Sequence, residues 1–215
     1  MAAIGGPVDT TLEPRSVHKR RSILEAATAL FLQKGYLGTS MDEVAARAAV
    51  SKQTVYKHFS DKQSLFEEIV VATVDEAGDL VHSTVGELGA SADVRADLLE
   101  LARRELELVM QPRVLQLRRL VIGESGRFPD LGRTFYERGP GRTIEALTAA
   151  FEQLAGRGVL RLHDPLLAAQ HFNWLVLSIP LNRAMLLGRD EPLDASDIDH
   201  YAETGVGVFL AAYGV

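Results

Sequence analysis

The stretch from residue 40 to residue 62, SMDEVAARAAVSKQTVYKHFSDK, constrains the fold of this chain more than any other segment. Ser40 followed three residues later by Glu43 is the pattern of a capping box, which predicts a helix beginning directly after Ser40. Ser51 offers a second N-cap, and residues 49–50 leave room only for a sharp bend. The sequence therefore predicts two short helices joined by a tight turn.

The second of these helices combines an apolar stripe with a polar outer face. Val55 and Phe59, four residues apart, are expected to anchor it to a core. Its other side chains point outward, namely Lys52, Gln53, Thr54, Tyr56, Lys57 and His58. Lysines neutralise phosphates, amides and hydroxyls read base edges, and a phenol donates to phosphate, so we predict a helix-turn-helix that enters the major groove. A helical hairpin with an ordinary solvated face is the alternative.

Basic residues are concentrated in this part of the chain. Residues 15–62 hold nine Lys and Arg against four Asp and Glu, a net charge of +5. The whole chain carries −6, which leaves −11 for the remainder. A local basic region on an acidic protein is typical of a nucleic-acid footprint. The acidic remainder argues against general binding to membrane surfaces.

Composition excludes several classes of protein. The chain has 215 residues, 47% of them hydrophobic, which is ample for a core. It has no cysteine, which excludes disulfides, thiolate zinc sites and thiol redox sensing. No apolar run is long enough to span a membrane and no signal-peptide core is present, so a cytoplasmic location is expected. Residues 1–16 are expected to form a flexible arm.

No enzyme motif in the chain is complete. The run GESG at 123–126 fails the nucleophile-elbow spacing because Arg127 stands where glycine is required. The run GPG at 139–141 lacks the lysine of a phosphate loop. Metal-ligand residue types occur in two groups, His163, Asp164 and His171, and Asp194, Asp197, Asp199 and His200. The second group is better explained as a solvated acidic loop and helix cap, so we expect no catalysis, metal or cofactor.

The segment from about residue 20 to residue 66 resembles the DNA-binding domain of the tetracycline-repressor (TetR) family. The matching runs are ILEAA at 23–27, LF at 30–31, KGY at 34–36, TS at 39–40, EVA at 43–45, VS at 50–51, TVY at 54–56, HF at 58–59, and Lys62 before LF at 65–66. One position departs from the family, which usually has glycine where this chain has Ala49. If that position is left-handed, a residue other than glycine costs about 1–2 kcal/mol.

The resemblance implies which residues contact DNA. In the family, the matches to Thr54, Tyr56, His58 and Lys62 touch DNA, and the matches to Lys52 and Gln53 vary with the operator. Hydroxyls at helix N-termini add further phosphate contacts. The predicted DNA-binding residues are Thr39, Ser40, Ser51, Lys52, Gln53, Thr54, Tyr56, Lys57, His58 and Lys62. For His58, a place in the core beside Phe59 is the alternative.

The remainder of the chain reads as helix, with Gly and Pro marking the breaks. Helices are predicted from residue 64 onward and over 93–110, 112–121, 129–138, 140–155, 164–187 and 195–213, with an extended link at 159–162. The predicted fold class is all-α, with a three-helix helix-turn-helix domain (17–63) followed by a larger helical ligand-binding and dimerisation domain (64–215). Within this, Gly35 is predicted to be a left-handed cap, and Pro180 to kink its helix.

The second domain resembles the AefR-like branch of the same family, through the runs RLVIGES at 119–125, FYERGP at 135–140 and DPLLAAQHF at 164–172. Members of the family are homodimers that block transcription and release DNA when a small molecule enters this domain. The 164–187 helix is apolar nearly all round and must be buried on several sides. The predicted dimer interface comprises Leu175, Ile179, Gly205 and Phe209, and packing within one chain is the alternative.

A ligand pocket is expected around Trp174, the single tryptophan. The predicted ligand-binding residues are Met110, Phe128, Phe135, Tyr136, Phe151, His171, Trp174 and Asn182, each of which has a core role as its alternative. The sequence thus predicts a homodimeric, ligand-responsive repressor that an apolar or aromatic molecule releases from a palindromic double-stranded DNA operator. An architectural DNA-binding protein without effector control is the alternative, and the lack of a cavity of about 300 Å³ or more would favour it.

Overall fold

A computed structural model describes residues 15–188 and 191–215 of the chain, so the predicted arm lies almost wholly outside the described residues. The chain divides into two compact units, with the boundary between Phe66 and Glu67. The first unit contains α1 (Arg15–Lys34), α2 (Met41–Arg47), α3 (Lys52–His58) and the start of α4 (Lys62–Leu88). The rest of α4 belongs to the second unit.

The second unit is helical throughout its described length. It continues with α5 (Val94–Val109), α6 (Pro112–Glu124), α7 (Pro129–Tyr136), a π-helical segment (Glu137–Gly141), α8 (Arg142–Gly156), α9 (Pro165–Leu187) and α10 (Ala195–Tyr213). The predicted all-α class is confirmed, because the described residues contain no strand beyond one isolated bridge. None of the described helices combines the length and the apolar character needed to cross a membrane.

The turns of the first unit depend on two left-handed residues. Gly35 has φ +73° and its N–H donates to the Phe31 carbonyl at 2.9 Å, which confirms the predicted cap of α1. Ala49, between α2 and α3, has φ +54°. The left-handed turn is therefore kept without glycine, at a cost of about 1–2 kcal/mol.

Capping interactions define the start of α2. The Ser40 hydroxyl accepts from the Glu43 N–H at 3.3 Å, and the Glu43 carboxylate accepts from the Ser40 N–H at 3.0 Å, which confirms the capping box. Lys34 also donates to Glu43, at 2.6 Å. Hydrogen bonds from Lys34 and then from Ser40 lower the pKa of Glu43 to about 2. The carboxylate therefore stays charged and the cap stays formed at all but strongly acidic pH.

Aromatic side chains form the centre of each core. In the first unit, the Phe66 ring lies 5.1 Å from Phe31 and 5.2 Å from Tyr36. In the second, Phe209 lies 5.0 Å from Phe151 and 5.3 Å from Phe172, which joins α8, α9 and α10. Burial of such large rings contributes to the stability of both units.

Two predicted breaks in the second unit take specific forms. The extended link at 159–162 makes an antiparallel bridge between Leu160 and Gly214. The break before Pro140 becomes the π-helical segment, where Gly139 has the non-helical angles φ −91°, ψ −107°. A Cβ atom at Gly139 would lie 3.3 Å from Val74 on α4, so a close approach of two helices accounts for this glycine. Helix α9 continues through Pro180, which is buried.

Candidate nucleic-acid interface and internal cavity

The orientation of α3 follows from its cap and its two buried residues. The Ser51 hydroxyl accepts from the Thr54 N–H at 3.1 Å and begins the helix. Val55 is fully buried and Phe59 is 3% exposed, so the opposite side of α3 must face solvent. The exposed residues of α3 and its cap are Ser51, Lys52, Gln53, Tyr56 and Lys57, whereas Thr54 and His58 are half-buried. We call the exposed set the α3 outer face.

The position of His58 is compatible with both interpretations, a DNA contact and a place in the core beside Phe59. Its side chain is half-buried, and its ring lies 6.4 Å from the ring of Phe59. Partial exposure allows a phosphate contact, while proximity to Phe59 fits a core-edge role. A DNA contact by His58 therefore stays a prediction.

Lys52 is paired with an acid in this structure. Its ammonium lies 2.8 Å from the Asp42 carboxylate, and both side chains are largely exposed. The hydrogen bond to Asp42 raises the pKa of Lys52. The ion pair between Lys52 and Asp42 must therefore break or weaken before the full charge of Lys52 can act on DNA.

Replacing Asp42 by asparagine is expected to strengthen binding to random DNA severalfold at low salt, because Lys52 becomes free for phosphate. The slope of log affinity against log salt should steepen by about 0.9. Stability should change by less than about 1 kcal/mol, as exposed ion pairs contribute little. Fluorescence anisotropy across a salt series measures this effect. Asp130→Asn, an equal charge change at an exposed position of α7, is the control and should leave DNA affinity nearly unchanged.

Two residues predicted to contact DNA have structural roles here. Thr39 is 2% exposed and its hydroxyl donates to the Gly35 carbonyl at 2.9 Å. Lys62 donates to the carbonyls of Tyr36 and Thr39, each at 2.9 Å, and its ammonium lies 4.4 Å from the centre of the Tyr36 ring. The prediction of a Thr39 side-chain contact is corrected, because burial removes its hydroxyl from the surface. Two of the three N–H donors of Lys62 are hydrogen-bonded to the turn between α1 and α2. Lys62 therefore has a structural role, and phosphate binding is not its only role.

A cavity lies within the second unit, among α4, α5, α6, α7, the π-helical segment, α8 and α9. It encloses about 50 Å³, and about 560 Å³ only when the space open to solvent is counted. Its apolar lining includes Val81, Val109, Phe135 and Leu177. This enclosed volume is below the size of about 300 Å³ expected of a ligand cavity, so the size of this cavity does not support an effector and that case depends on the chemistry of its polar lining.

Besides Thr143, three polar or charged side chains line this cavity and hold buried atoms without partners among the described residues, namely Glu105, Arg118 and Asn173. Glu105 Oε2, Arg118 Nε and both amide atoms of Asn173 are buried and have no hydrogen-bond partner within the described part of the chain. Burial raises the pKa of Glu105 to about 8, so this carboxyl is mostly neutral at pH 7. Burial also lowers the pKa of Arg118, whose guanidinium lies 5.2 Å from the Phe135 ring. We call these three residues the cavity polar set.

Of the eight predicted ligand-binding residues, Phe135 and Trp174 line this cavity. Their contact with a ligand stays a prediction. The other six do not line this cavity, and a ligand contact by any of them stays a prediction: Met110, Phe128, Tyr136, Phe151, His171 and Asn182.

Physical reasons account for these six positions. Phe151 is fully buried in the aromatic core, and Met110 lines a separate depression beside Arg183. The Tyr136 side chain is 50% exposed. His171 is hydrogen-bonded to the Tyr213 hydroxyl, and Asn182 donates to the Ser178 carbonyl at 2.7 Å. The Phe128 ring lies 5.2 Å from the guanidinium carbon of Arg127, away from the cavity lining.

One local sequence pattern indicates a member of the cavity polar set, Glu105. Glu105 lies four residues after Leu101 and seven after Leu98, on the buried stripe of α5. An acid on an apolar stripe indicates either a buried partner or a site. Arg118 and Asn173 carry no comparable local signal.

The predicted dimer-interface residues divide into two groups. Ile179 is 58% exposed and Leu175 is half-buried, both on α9. Gly205 and Phe209 are buried inside the second unit, and a Cβ atom at Gly205 would lie 3.1 Å from Val176. Their assignment to the interface is corrected, because Gly205 provides a close approach of α10 to α9 within one chain. The exposed apolar side chains of these two helices include Leu166, Ile179 and Val208.

The two candidate metal groups have ordinary structural roles. Asp164 caps α9 and Asp194 caps α10, each through its side-chain oxygen. Asp199 pairs with Arg103 at 2.6 Å. Within residues 15–188 and 191–215, no three His, Cys, Asp or Glu side chains come together as a metal site.

The chain matches two family profiles. Residues 23–69 match the family described as bacterial regulatory proteins, tetR family. Residues 96–215 match the C-terminal domain of AefR-like transcriptional repressors. Together these matches cover most of both units.

Solved structures of full-length relatives share the fold. A protein of Mesorhizobium loti MAFF303099 assigned to the TetR family is 42% identical, covers 94% of this chain and 100% of its own, and has a TM-score of 0.86. The flavonoid-responsive regulator FrrA is 34% identical over 92% of this chain and 98% of its own, with a TM-score of 0.75.

Curated relatives match over shorter stretches. The regulator AcrR of Shigella flexneri is 35% identical over 105 residues, which is 49% of this chain and 46% of AcrR. The regulator YhgD of Bacillus subtilis is 46% identical over 61 residues, which is 28% of this chain and 32% of YhgD. The chain therefore matches less than half the length of either protein.

Proposed function

Since this chain belongs to the TetR family of helix-turn-helix transcriptional regulators, which are not enzymes, we propose that it is a homodimeric repressor released from a palindromic operator by a small molecule. The observation that carries the effector-release part of this proposal is the cavity in the second unit. Its lining holds buried polar atoms without partners, which an architectural DNA-binding protein would not need.

DNA binding is assigned to the α3 outer face. Gln53 and Lys52 lie near the start of α3, where a recognition helix contacts base edges. Lys57 supplies phosphate-neutralising charge, and the Tyr56 hydroxyl, on a side chain that is 45% exposed, donates to phosphate. Ser40 and Ser51 mark helix N-termini that favour phosphate, although their hydroxyls also serve as caps.

Dimerisation is assigned to the exposed apolar side chains of α9 and α10. One helix-turn-helix contacts only a half-site, and a two-fold dimer doubles the contacts on a pseudo-palindromic operator. Ile179, Leu166 and Val208 are 58%, 49% and 50% exposed in the single chain. Burial against a second copy would remove this apolar surface from water.

The effector is proposed to act through α4. Val74, Ala77, Gly78 and Val81 of this helix line the cavity, and the same helix begins at Lys62 in the first unit. A ligand that binds more tightly to the helix arrangement that does not fit the operator must lower operator affinity. The loss equals the difference in its binding free energy between the two arrangements, typically about 1–3 kcal/mol. The flavonoid response of FrrA supports an aromatic effector for this chain.

Replacing Trp174 by alanine is expected to weaken effector binding by about tenfold, because a large aromatic contact in the cavity is lost. Operator affinity without effector should stay nearly unchanged. A panel of flavonoids, titrated by calorimetry and in operator-release assays, measures both effects. Tyr136→Ala is the matched control, since this exposed aromatic lies away from the cavity. Loss of operator binding in Trp174→Ala without any ligand would show that the residue is structural.

Footprinting of the DNA that flanks the protein's own gene tests the proposed function. We expect one protected region with two-fold sequence symmetry. Protection without sequence preference would favour the architectural alternative.

A further inference from the structure

The cavity polar set lacks a negative charge. Arg118 is cationic at every physiological pH, since a guanidinium does not deprotonate in proteins. Burial raises the pKa of Glu105 and lowers the pKa of Arg118, and neither Glu105 Oε2 nor Arg118 Nε has a hydrogen-bond partner among the residues that the structure describes, so no hydrogen bond joins these two atoms. With Glu105 mostly neutral at pH 7, the set carries a net charge close to +1. Arg118 is half-buried with its Nε atom buried, and an anion that enters the cavity would stabilise this partly desolvated cation.

The hydrogen-bonding pattern of the set further restricts the occupant. Arg118 Nε is an unused donor, and Asn173, which is fully buried, offers an unused donor and an unused acceptor. Glu105, when protonated, can also donate. Each such buried group left unpaired is unfavourable, so a ligand oxygen that accepts several of these hydrogen bonds is favoured.

The apolar lining determines the body of the ligand. Phe135, which also lies 5.2 Å from the Arg118 guanidinium, and Trp174 contribute aromatic surfaces, while Leu177 and Val81 contribute aliphatic ones. Planar rings pack well between such side chains. The ligand is therefore apolar and aromatic over most of its surface and charged at one end.

We propose that the effector is an aromatic molecule with one anionic oxygen group, a carboxylate or a phenolate, which Arg118 and Asn173 bind inside the cavity. This inference rests on the proposed function only in treating the bound molecule as an effector. The chemistry of the cavity is independent of DNA binding.

Calorimetric titration of the full chain, without DNA, tests the proposal with three bicyclic probes of similar shape. At pH 7, 2-naphthoate is expected to bind at least about tenfold more tightly than neutral 2-naphthamide, and 2-naphthylmethylammonium more weakly still. Equal binding of naphthoate and naphthamide would overturn the proposal, and so would preferred binding of the ammonium or no binding of naphthoate. These comparisons need no altered protein.

Two substitutions test whether Arg118 causes the preference for naphthoate over naphthamide. Arg118→Gln is expected to remove the preference for naphthoate over naphthamide. Arg113→Gln, at an exposed position of the same helix that does not line this cavity, should retain it. A retained preference in Arg118→Gln would overturn the assignment.

Glu105→Gln tests the polar set by its pH dependence. Glu105 and Arg118 are the ionisable residues that line the cavity, and Arg118 does not titrate in this range. Because the pKa of Glu105 is raised to about 8, the carboxyl becomes negative as the pH rises from 7 to 9. Naphthoate affinity should fall by up to about tenfold over this interval in the natural protein and stay constant in Glu105→Gln. The same fall in both proteins would contradict the role of Glu105.

The two proposals fail in different ways. Naphthoate that binds through Arg118 without releasing operator DNA would leave the cavity chemistry standing and reject its role in regulation. A repressor that binds its operator but shows no preference for the anionic probe would reject the cavity chemistry alone.

Discussion

Replacing Ile179 by glutamate is expected to convert the protein from a dimer into a monomer and to lower its operator affinity by at least about a hundredfold. Ile179 is 58% exposed in the single chain and lies on α9, a helix that is apolar on most sides. A carboxylate placed there would be buried without a partner when two copies associate. Loss of the second helix-turn-helix then removes the gain that comes from binding both half-sites at once.

Sedimentation equilibrium at micromolar concentration and operator titration measure these two effects. Ile122→Glu is the matched control, because Ile122 is 59% exposed but lies on α6. This control should stay dimeric with unchanged operator affinity. A dimeric Ile179→Glu protein, or a natural protein that sediments as a stable monomer, would contradict the assigned interface.

Within the α3 outer face, Gln53→Ala and Lys57→Ala are expected to have different consequences for DNA binding. Gln53 lies in the first turn of α3, where loss of a bidentate contact to a base costs about 1–3 kcal/mol at one base pair. Operator affinity should fall while random-DNA affinity changes little. Lys57 is exposed in the last turn, and its loss should weaken operator and random DNA alike and reduce the salt slope by about 0.9.

Competition titrations of each variant with operator and random duplexes, repeated across a salt series, separate these effects. Lys57 is a cleaner position than Lys62 for testing a phosphate contact. Lys62→Ala would also remove two hydrogen bonds from the turn between α1 and α2. Equal losses on both duplexes for Gln53→Ala would show that this residue does not read sequence.

Local sequence patterns were sufficient to predict the helix-turn-helix itself. The capping box of Ser40 and Glu43, the cap at Ser51 and the left-handed Gly35 each depend on residues within a few positions of one another. The 3.6-residue period likewise placed Val55 and Phe59 in the core, which leaves one face of α3 for solvent.

Contacts between residues distant in sequence could not be predicted in this way. Lys62 donates to Tyr36, which lies 26 residues earlier, and no local pattern records that pairing. Thr39 has the residue type of a phosphate ligand, but its burial depends on how the turn packs. Resemblance to a family indicated where DNA contacts are expected and did not show which side chains are already engaged.

In the second unit, too, contacts between residues distant in sequence could not be predicted from local patterns. Glycine in α10 correctly indicated a close helix approach, yet Gly205 packs against α9 of the same chain. Aromatic residue type alone did not distinguish core from cavity or surface, since Phe151 belongs to the core, Phe135 lines the cavity and Tyr136 is 50% exposed. The cavity polar set comes from α5, α6 and α9, and only the three-dimensional arrangement brings it together.

The most direct measurement of the central claim is operator affinity with the cavity empty and with it filled. The operator found by footprinting is titrated with the full chain, alone and with an aromatic ligand that calorimetry has shown to bind through Arg118 or Trp174. We predict that saturation with this ligand lowers operator affinity by between about 5-fold and 150-fold, the range of a coupling of about 1–3 kcal/mol. An operator affinity that is the same with the cavity empty and filled would contradict the account.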